Sequence, residues 1–260
     1  MSVNIVKIGG NIVNDEVKLE RFLTAFASLK GDKILVHGGG KIATEIANKL
    51  GVKTKMIEGR RITDEPMREV VTMVYGGLVN KKIVAILQSK KTNALGLTGA
   101  DGGVILARKR EVKAIDYGFV GDIETVNASL ISTLLLQGIT PVFAPLTYSL
   151  EYGILNTNAD TQASAIARAL AEKKIVNLIY CFEKKGVLSD PDDDNSVIPV
   201  LKPESYASFK KRGIIYDGMI PKLDNAFDAV HKGVKRVVIC EADDLLNAVE
   251  KGETGTTILI

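Results

Sequence analysis

Short apolar runs rich in β-branched residues alternate along the chain with longer stretches whose apolar residues recur every three or four positions. The short runs are typical of β-strands and the longer stretches of amphipathic helices. We predict strands at Val3–Ile8, Lys33–His37, Ala94–Thr98, Val104–Arg108, Thr140–Ala144, Ile175–Cys181 and Lys235–Cys240. We predict helices at Val17–Ser28, Ile42–Leu50, Glu65–Ser89, Asn127–Gln137, Thr161–Ala171, Pro203–Arg212, Pro221–His231 and Asp243–Val249.

Strands interleaved with helices of this length indicate βαβ units and an α/β fold, with a mostly parallel sheet covered on both faces. The helix from Glu65 is expected to break at Gly76 and Gly77, because two adjacent glycines weaken helical order. No Pro/Ser-rich linker divides the chain. If there are two lobes, the change falls near the end of the helix at Thr161–Ala171, giving residues 1–172 and 173–260.

Composition narrows the possible partners and the cellular compartment. The 260 residues carry a formal net charge of only +3 at pH 7, which argues against a dedicated nucleic-acid surface. No window approaches the roughly 18 consecutive apolar residues that a membrane-spanning helix needs, and no secretory signal precedes the first strand. Cys181 and Cys240 each follow an apolar run and are expected to be reduced core residues. We therefore expect a cytoplasmic protein without a membrane or nucleic-acid partner.

Two features suggest a metal site, and neither has the right ligands. The acidic run Ser189–Asn195 loosely resembles a calcium loop, but Asn195 stands where that loop needs glycine and Leu201 where it needs glutamate. We interpret the run as a solvated hairpin tip. His37 precedes three glycines and is expected to be a packed or hydrogen-bonded residue at the end of a strand, because the only other histidine is His231. No protein metal site is predicted.

Three glycine-rich turns are candidates for anion binding. They are "IVKIGGN" at Ile5–Asn11, "ILVHGGGK" at Ile34–Lys41 and "LTGADGG" at Leu97–Gly103. Glycines between a strand and a helix let backbone N–H groups approach an anion, and the helix N-terminus adds favourable partial charge. Turns after neighbouring parallel strands lie side by side at the ligand-binding edge of an open sheet. The alternative is that the glycines only make tight turns.

Two familiar phosphate motifs fit less well. No stretch matches the Walker A spacing. Gly38, Gly40 and Ala43 match the dinucleotide fingerprint, and Glu58 follows about 20 residues after Gly38, so an NAD-dependent dehydrogenase remains an alternative. That alternative leaves the "KIGG" and "NTNAD" segments and two unusual lysines without a role.

The two lysines occupy positions that normally disfavour a positive charge. Lys7 ends an otherwise apolar strand, where a buried charge needs a use or a partner. Lys222 follows Pro221 at the start of a helix, the end where the helix dipole disfavours a cation. Lys222 taken alone is also compatible with an ordinary surface residue. Both positions make sense if each lysine meets a polyanion.

The segment "NTNAD" places three polar side chains just before a helix. Asn156, Asn158 and Asp160 can each accept hydrogen bonds from the first turn, yet one cap is enough. A second role for the remaining two is therefore open.

Seven motifs in order, spread over essentially the whole chain, resemble the amino acid kinase family. They are "KIGGN", "VHGGGK", "GRRIT", "LTGADGG", "LNTNAD", "DGMIPK" and the terminal "GTTI". The resemblance implies an open three-layer αβα sandwich on a mainly parallel sheet. It also implies that residues 1–172 bind an amino-acid substrate and residues 173–260 bind ATP.

The resemblance assigns roles to particular residues. Lys7 and Lys222 are similar to the lysines that neutralise the transferring phosphoryl group, and Asp160 to the aspartate that holds both. Arg61 resembles the arginine that binds the α-carboxylate of the substrate. The remaining expected substrate and phosphate contacts are Asn156, Asn158, Gly9, Gly10, Gly38 and Gly39.

The implied reaction transfers phosphate from ATP, with Mg²⁺, to the γ-carboxylate of an N-acylated glutamate. N-acetyl-L-glutamate is the expected substrate, in arginine biosynthesis; N-succinylglutamate, another carboxylate or carbamate remain alternatives. A γ-carboxylate has an ordinary pKa of about 4.3 and needs no general base at neutral pH. Catalysis is then mostly positioning and charge neutralisation. A non-catalytic binding protein of the same fold would not need Lys7, Lys222 and Asp160 together.

One segment departs from the family pattern. In "YCFEKKGVL", Tyr180–Leu188, Glu183 stands where relatives carry an aspartate, so the adenine contacts are expected to differ from the family pattern. Glu183, Lys185 and Gly186 are the expected nucleotide contacts. Arginine-inhibited hexameric relatives carry a helix ahead of the first strand, and none precedes Lys7 here. An arginine-insensitive homodimer is therefore expected.

Overall fold

A computed structural model describes residues 2–57, 59–190, 192–215, 219–252 and 254–260, with the backbone alone at Pro221. Glu58, the acidic residue of the dinucleotide alternative, lies outside the described residues. So do Asp217 and Gly218, which begin the "DGMIPK" motif.

The strands and helices follow the alternation expected from the sequence. The strands are β1 Ser2–Ile8, β2 Asp32–His37, β3 Lys55–Ile57, β4 Arg60–Ile62, β5 Ala94–Leu97, β6 Ile105–Lys109, β7 Gly121–Val126, β8 Thr140–Phe143, β9 Leu146–Ser149, β10 Gly153–Asn156, β11 Ile175–Phe182, β12 Val200–Leu201, β13 Arg236–Glu241 and β14 Thr256–Ile258. The helices are α1 Gly10–Asn14, α2 Glu16–Ser28, α3 Gly40–Lys49, α4 Glu65–Val71, α5 Asn80–Ser89, α6 Ala128–Leu136, α7 Ala159–Ala171, α8 Pro203–Lys211, α9 Met219–His231 and α10 Leu245–Glu250, with a π-helix at Thr72–Val79 between α4 and α5.

Eight of the described strands form one central sheet in the order β12-β14-β13-β11-β1-β2-β8-β5. Their pairing is parallel except between β13 and β14. The carboxyl ends of β1, β2 and β11 therefore meet at one edge of the sheet, where Lys7 is paired with Val36 and Tyr180. A smaller sheet, β10-β9-β6-β7, and the β3–β4 hairpin complete the described strands.

Each face of the central sheet carries its own hydrophobic core. On β1, Val6 and Ile8 join one core, which includes Phe22 of α2 and residues of α4 and α5. Val3 and Ile5 join the other, which includes residues of α6, α7 and α9. Because successive side chains of a strand point to opposite faces, this division means that helices cover both sides. The predicted three-layer α/β sandwich is confirmed.

The proposed lobe boundary falls at the middle of the central sheet in space. Residues 1–172 supply β1, β2, β8 and β5, whereas residues 173–260 supply β11, β13, β14 and β12. The two halves are joined by the hydrogen-bonded pair β1 and β11. A functional division into lobes 1–172 and 173–260 stays a prediction.

The expected break at Gly76 and Gly77 does not occur. The helix continues through both glycines as the π-helix Thr72–Val79. A Cβ atom at Gly76 would lie 3.4 Å from Leu146 and Thr98, so the glycine permits close packing there rather than ending the helix. By length and composition alone, Glu65–Ser89 could cross a bilayer, but one side packs into the core as in an ordinary interior helix.

Short elements without an apolar pattern escaped prediction. The sequence did not indicate α1, nor the brief strands β3, β4, β7, β9, β10, β12 and β14. The acidic run, apart from Pro191, does form the tip of a hairpin. It follows Leu188, which bridges to Val197, and the Ser189 N–H donates to the Ser196 carbonyl at 2.9 Å.

Candidate active site

Two glycine turns lie side by side at the carboxyl edge of β1 and β2. The Gly9 N–H donates to the Cys181 carbonyl at 3.1 Å, and the Gly38 N–H donates to the Ile8 carbonyl at 3.2 Å. These two N–H groups therefore hold the turns in place. Those of Gly10 and Gly39 make no hydrogen bond to a described residue. Gly10 begins α1 and Gly39 is the N-cap of α3, where backbone donors remain free for a ligand.

Lys7, Asp160 and Lys222 meet at this edge from three different elements. Lys7 Nζ lies 2.6 Å from Asp160 Oδ1, and Lys222 Nζ lies 3.4 Å from Asp160 Oδ2. All three side chains are 10–15% exposed. The Lys222 ammonium also lies 5.1 Å from the centre of the Phe182 ring. One carboxylate thus bridges two nearly buried cations that belong to β1 and α9.

The electrostatics of this cluster follow from burial and from charge pairing. Burial opposes ionisation of Asp160, but the ammonium groups of Lys7 and Lys222 outweigh it and lower its pKa to about 2. Burial lowers the pKa of Lys222, and the nearby Lys7 charge acts in the same direction, while Asp160 opposes both. Asp160 is therefore ionised at neutral pH and stabilises the charged form of Lys222.

The three polar residues of "NTNAD" have separate contacts. Asn158 is the N-cap of α7, and its Oδ1 accepts from the N–H groups of Asp160 and Thr161 at 2.9 and 3.0 Å. Asn156 Nδ2 donates to Thr63 Oγ1 at 3.0 Å. Asp160 uses its carboxylate on the lysines. Asn158 alone caps the helix, so Asn156 and Asp160 are available for other roles in the site.

Arg61 reaches the glycine turn from the β3–β4 hairpin. Its Nη2 donates to the Gly40 carbonyl and to Thr44 Oγ1, both at 2.8 Å, and its Nη1 donates to Thr54 Oγ1 at 3.3 Å. Arg61 is mostly buried, and these hydrogen bonds fix the orientation of its guanidinium beside Gly40. Such a group suits recognition of a carboxylate.

A cavity of about 590 Å³ joins most of these residues. Its lining includes Gly38, Gly39, Arg61, Asn156, Asn158, Asp160 and Lys222. Lys7, Gly9 and Gly10 do not line it, although Lys7 contacts Asp160, which does. The size suits a small-molecule ligand.

The expected nucleotide contacts do not line this cavity, although the Glu183 carboxylate is near enough to Lys222 that its charge acts to raise the pKa of that lysine. Glu183, Lys185 and Gly186 are absent from its lining. Lys184 and Lys185 instead contact Asp194 and Asn195 of the acidic hairpin, at 2.6 and 3.0 Å. Nucleotide binding by Glu183, Lys185 and Gly186 stays a prediction.

Several lining residues were not found from the sequence. Tyr75 comes from the π-helix, Arg110 and Val120 flank the smaller sheet, and Asp224 lies on α9 two residues after Lys222. None of them belongs to a motif with recognisable spacing. Only Asp224, which lies two residues after the predicted Lys222 on the same helix, could have been suspected from the sequence.

The chain is similar to known proteins over nearly its whole length. Residues 2–241 match the model of the amino acid kinase family. The chain is 54% identical over 257 residues to the acetylglutamate kinase of Cytophaga hutchinsonii, covering 98% of this chain and 97% of that protein. It is 55% identical over 256 residues to that of Phocaeicola vulgatus, covering 98% of each. A crystal structure of a Streptococcus mutans protein has a TM-score of 0.78 at 28% identity and covers 98% of both chains.

We expect Asp160→Asn to lower the free energy of unfolding by about 3 kcal/mol, because two nearly buried ammonium groups would lose their shared partner. Urea unfolding without nucleotide measures the change. Asp228→Asn is the matched control, since Asp228 also contacts two cations, Arg168 and Lys232, but its side chain is 41% exposed. Its loss should be about 0–1 kcal/mol. Equal losses in the two variants would contradict the assigned role of burial.

Acid should have the same effect as the substitution. The pKa of Asp160 falls from the ordinary 3.8 to about 2, so its contribution is complete above about pH 4 and is lost as the pH falls through about 2. The stability difference between wild type and Asp160→Asn should therefore shrink over this range.

Proposed function

The chain belongs to the amino acid kinase family, and from this premise we propose that it transfers the γ-phosphoryl group of ATP to the γ-carboxylate of N-acetyl-L-glutamate. The product is N-acetylglutamyl 5-phosphate, and the pathway is arginine biosynthesis. The family match covers residues 2–241, which is evidence against the dehydrogenase alternative. Identity of 53–55% to acetylglutamate kinases over nearly the whole chain supports this acceptor within the family.

The observation that carries the proposal is the Lys7–Asp160–Lys222 cluster beside free backbone N–H groups. The reaction brings an anionic nucleophile to a polyanion, so repulsion is the main obstacle. The two ammonium groups neutralise negative charge on the phosphoryl group as it moves between oxygens. Asp160 keeps both cations within reach of one another, which their repulsion would otherwise prevent.

The acceptor carboxylate is already ionised at neutral pH and attacks without a general base. Arg61 binds the α-carboxylate of the substrate N-acetyl-L-glutamate, and the Asn156 and Asn158 side chains bind other polar groups of the same substrate. The N–H groups of Gly10 and Gly39 face the transferring phosphate. Gly9 and Gly38 contribute through the shape of the turns, because their N–H groups are occupied.

Mg²⁺ is the expected companion of ATP, and it supplies further neutralisation of the phosphate charge. Among the described residues, no three His, Cys, Asp or Glu side chains cluster to hold a metal ion. Two carboxylates line the cavity in the part of the chain that the structure describes. Asp160 is paired with the lysines, and Asp224 accepts a hydrogen bond from Tyr206 at 2.7 Å. Mg²⁺ is usually held by one or two carboxylates together with nucleotide phosphates and water. The described residues fit this pattern, with Asp224 as the carboxylate that would bind the ion.

N-succinyl-L-glutamate is a second candidate acceptor. Arg60 and Arg110 line the cavity in addition to Arg61. An acetylated glutamate offers only two carboxylates, whereas a succinyl group offers a third. Arg110 is already paired with Asp122 at 2.6 Å, which weakens this candidate and favours the acetyl group.

A hydroxamate assay tests the function directly. An acyl phosphate reacts with hydroxylamine, so ATP, Mg²⁺ and each candidate acceptor are incubated with it. We expect product with N-acetyl-L-glutamate and much less with N-succinyl-L-glutamate, free glutamate or aspartate. Turnover with aspartate or carbamate alone would contradict the proposed acceptor and leave the family unchanged. ATP binding without turnover of any acceptor would favour a regulatory protein.

We further infer a homodimer in the cytoplasm. β5 is the last strand of the central sheet, and its Leu95 is 39% exposed. Met73 and Leu78 of the π-helix are each 54% exposed, and Lys81, one turn beyond Leu78, donates to the Gly96 carbonyl of β5. These apolar side chains and the open strand edge suit a two-fold contact. The buried Cys181 and Cys240 are free thiols, as expected in a reducing compartment.

Replacing Lys222 by Met should lower kcat by about 10²–10³-fold, because its charge matters most in the transition state. KM for N-acetyl-L-glutamate should change little. Steady-state kinetics measure both constants, with Lys232→Met as a control at an exposed lysine just after the same helix. An unchanged kcat with a raised KM would show that Lys222 only binds substrate.

The double change Leu78→Glu and Leu95→Glu should convert the dimer to a monomer, because it places charges in the proposed apolar contact. Sedimentation velocity measures the mass. Leu136→Glu, at a 73% exposed leucine at the end of α6, should leave the dimer intact. A monomeric wild type, or a dimer that survives the double change, would refute this contact.

A further inference from the structure

His37 connects the second glycine turn to the interior of the protein. It ends β2, is fully buried, and its Nδ1 lies 2.7 Å from the Gly38 carbonyl oxygen. Its Nε2 lies 3.1 Å from Asn80 Nδ2. Asn80 is also buried and begins α5, directly after the π-helix. The mechanism above gives neither residue a role.

The hydrogen-bond partners determine which imidazole nitrogen carries the proton. Asn80 Nδ2 lies 2.9 Å from the Val142 carbonyl, which can only accept, so this atom is the amide nitrogen. It therefore donates to His37 Nε2 as well, and Nε2 must be unprotonated. The proton then sits on Nδ1 and is donated to the Gly38 carbonyl. Burial lowers the pKa of His37 to about 4, which agrees with a neutral ring.

Holding the Gly38 carbonyl also orients the next N–H group. The Gly38 carbonyl and the Gly39 N–H belong to one planar trans peptide unit, in which they point in opposite directions. His37 draws the carbonyl toward the buried side. The Gly39 N–H therefore points away from it, and Gly39 lines the cavity.

Tyr75 of the π-helix and Asn80, the first residue of α5, both pack around this turn. Asn80 occupies space that only a glycine at position 96 leaves free, since a Cβ there would lie 1.9 Å from Asn80 Oδ1. Tyr75 packs its ring against Gly39, where a Cβ atom would lie 3.1 Å from the ring. If the segment Thr72–Val79 were an α-helix instead of a π-helix, the side chains of Tyr75 and Asn80 would point in different directions and both contacts would be lost. The π-helix and the start of α5 thus support the turn at two points, through the Tyr75 ring at Gly39 and through the Asn80 amide at His37.

We propose that His37, with its tautomer set by Asn80, is a positioning residue that aims the Gly39 N–H at the transferring phosphoryl group. This inference rests on the proposed function, because the aimed group is the γ-phosphate of ATP. His37 touches neither substrate and acts only through the Gly38–Gly39 peptide.

Two conservative substitutions separate the two nitrogens of the ring. The Asn amide occupies the place of Nδ1 and can still donate to the Gly38 carbonyl, whereas the Gln amide occupies the place of Nε2 and reaches only Asn80. We expect His37→Gln and His37→Phe to lower kcat by about 10- to 100-fold, less than the loss of a whole donor. His37→Asn should recover most of kcat. KM for N-acetyl-L-glutamate should stay within about threefold in all of them.

A second measurement is independent of the acceptor. Calorimetric titration with ADP and with the ATP analogue AMP-PNP reports the contribution of the γ-phosphate. We expect His37→Phe to reduce the preference for AMP-PNP over ADP, with little change in the affinity for ADP. Nitrogen-15 NMR of the imidazoles should show His37 neutral and protonated on Nδ1. His231→Phe, at the other histidine, should leave kcat and the nucleotide preference unchanged.

The outcomes distinguish this inference from the function on which it rests. If wild type turns over no acceptor, the proposed function fails, and the NMR tautomer and the AMP-PNP preference still test the role of His37. An Nε2-protonated ring, full activity in His37→Phe, or equal loss in the Asn and Gln variants would overturn the inference. So would losses of kcat that simply follow losses of thermal stability.

Discussion

The site depends on keeping two ammonium groups close together in a nearly buried place. Lys7 and Lys222 would repel one another and lose hydration there without a shared counter-charge. Asp160 supplies that charge at 2.6 and 3.4 Å, and its own pKa falls to about 2 as a result. The fold must therefore bring a strand and two helices to one point with little freedom. The parallel sheet does this, because β1 ends where α7 begins and where α9 packs against α7.

The backbone around this cluster divides its donors between structure and ligand. Two glycine N–H groups tie the turns to neighbouring carbonyls, while two others at helix starts remain available. The segment before α7 shows the same division, since Asn158 caps the helix and Asp160 serves the lysines. In each of these segments one polar group holds the backbone in place, and a neighbouring polar group remains available for the ligand or for the lysines. Because both roles must be filled within a few residues, glycines and short polar residues are concentrated in these segments.

Much of the fold could be predicted from the chain because its long elements bury continuous or periodic apolar surface. β1, β2 and β11 were located to within about a residue, because their residues are mostly apolar, with only one or two polar residues in each predicted range. β3, β9 and β10 could not be found, because strands of three or four residues carry too little pattern. The break expected at Gly76 was wrong for a related reason. Local helix propensity favours a break, but Val74, Tyr75 and Val79 on either side of the glycines are buried in the core, and this tertiary packing keeps the segment helical.

The sequence by itself determined the fold class and the unusual positions of Lys7 and Lys222, and its resemblance to the family placed Asp160 between them. Charges at the end of an apolar strand or in the first turn of a helix are unusual enough to be noticed without coordinates. Only the tertiary structure decided which N–H groups remain free, that Lys185 turns to the acidic hairpin, and that His37 is held by Asn80. The physical reason is that charge and hydrophobicity are properties of a residue, whereas hydrogen-bond partners come from distant parts of the chain. The pairing of His37 with Asn80, for example, is settled only when β2, β8 and α5 pack together.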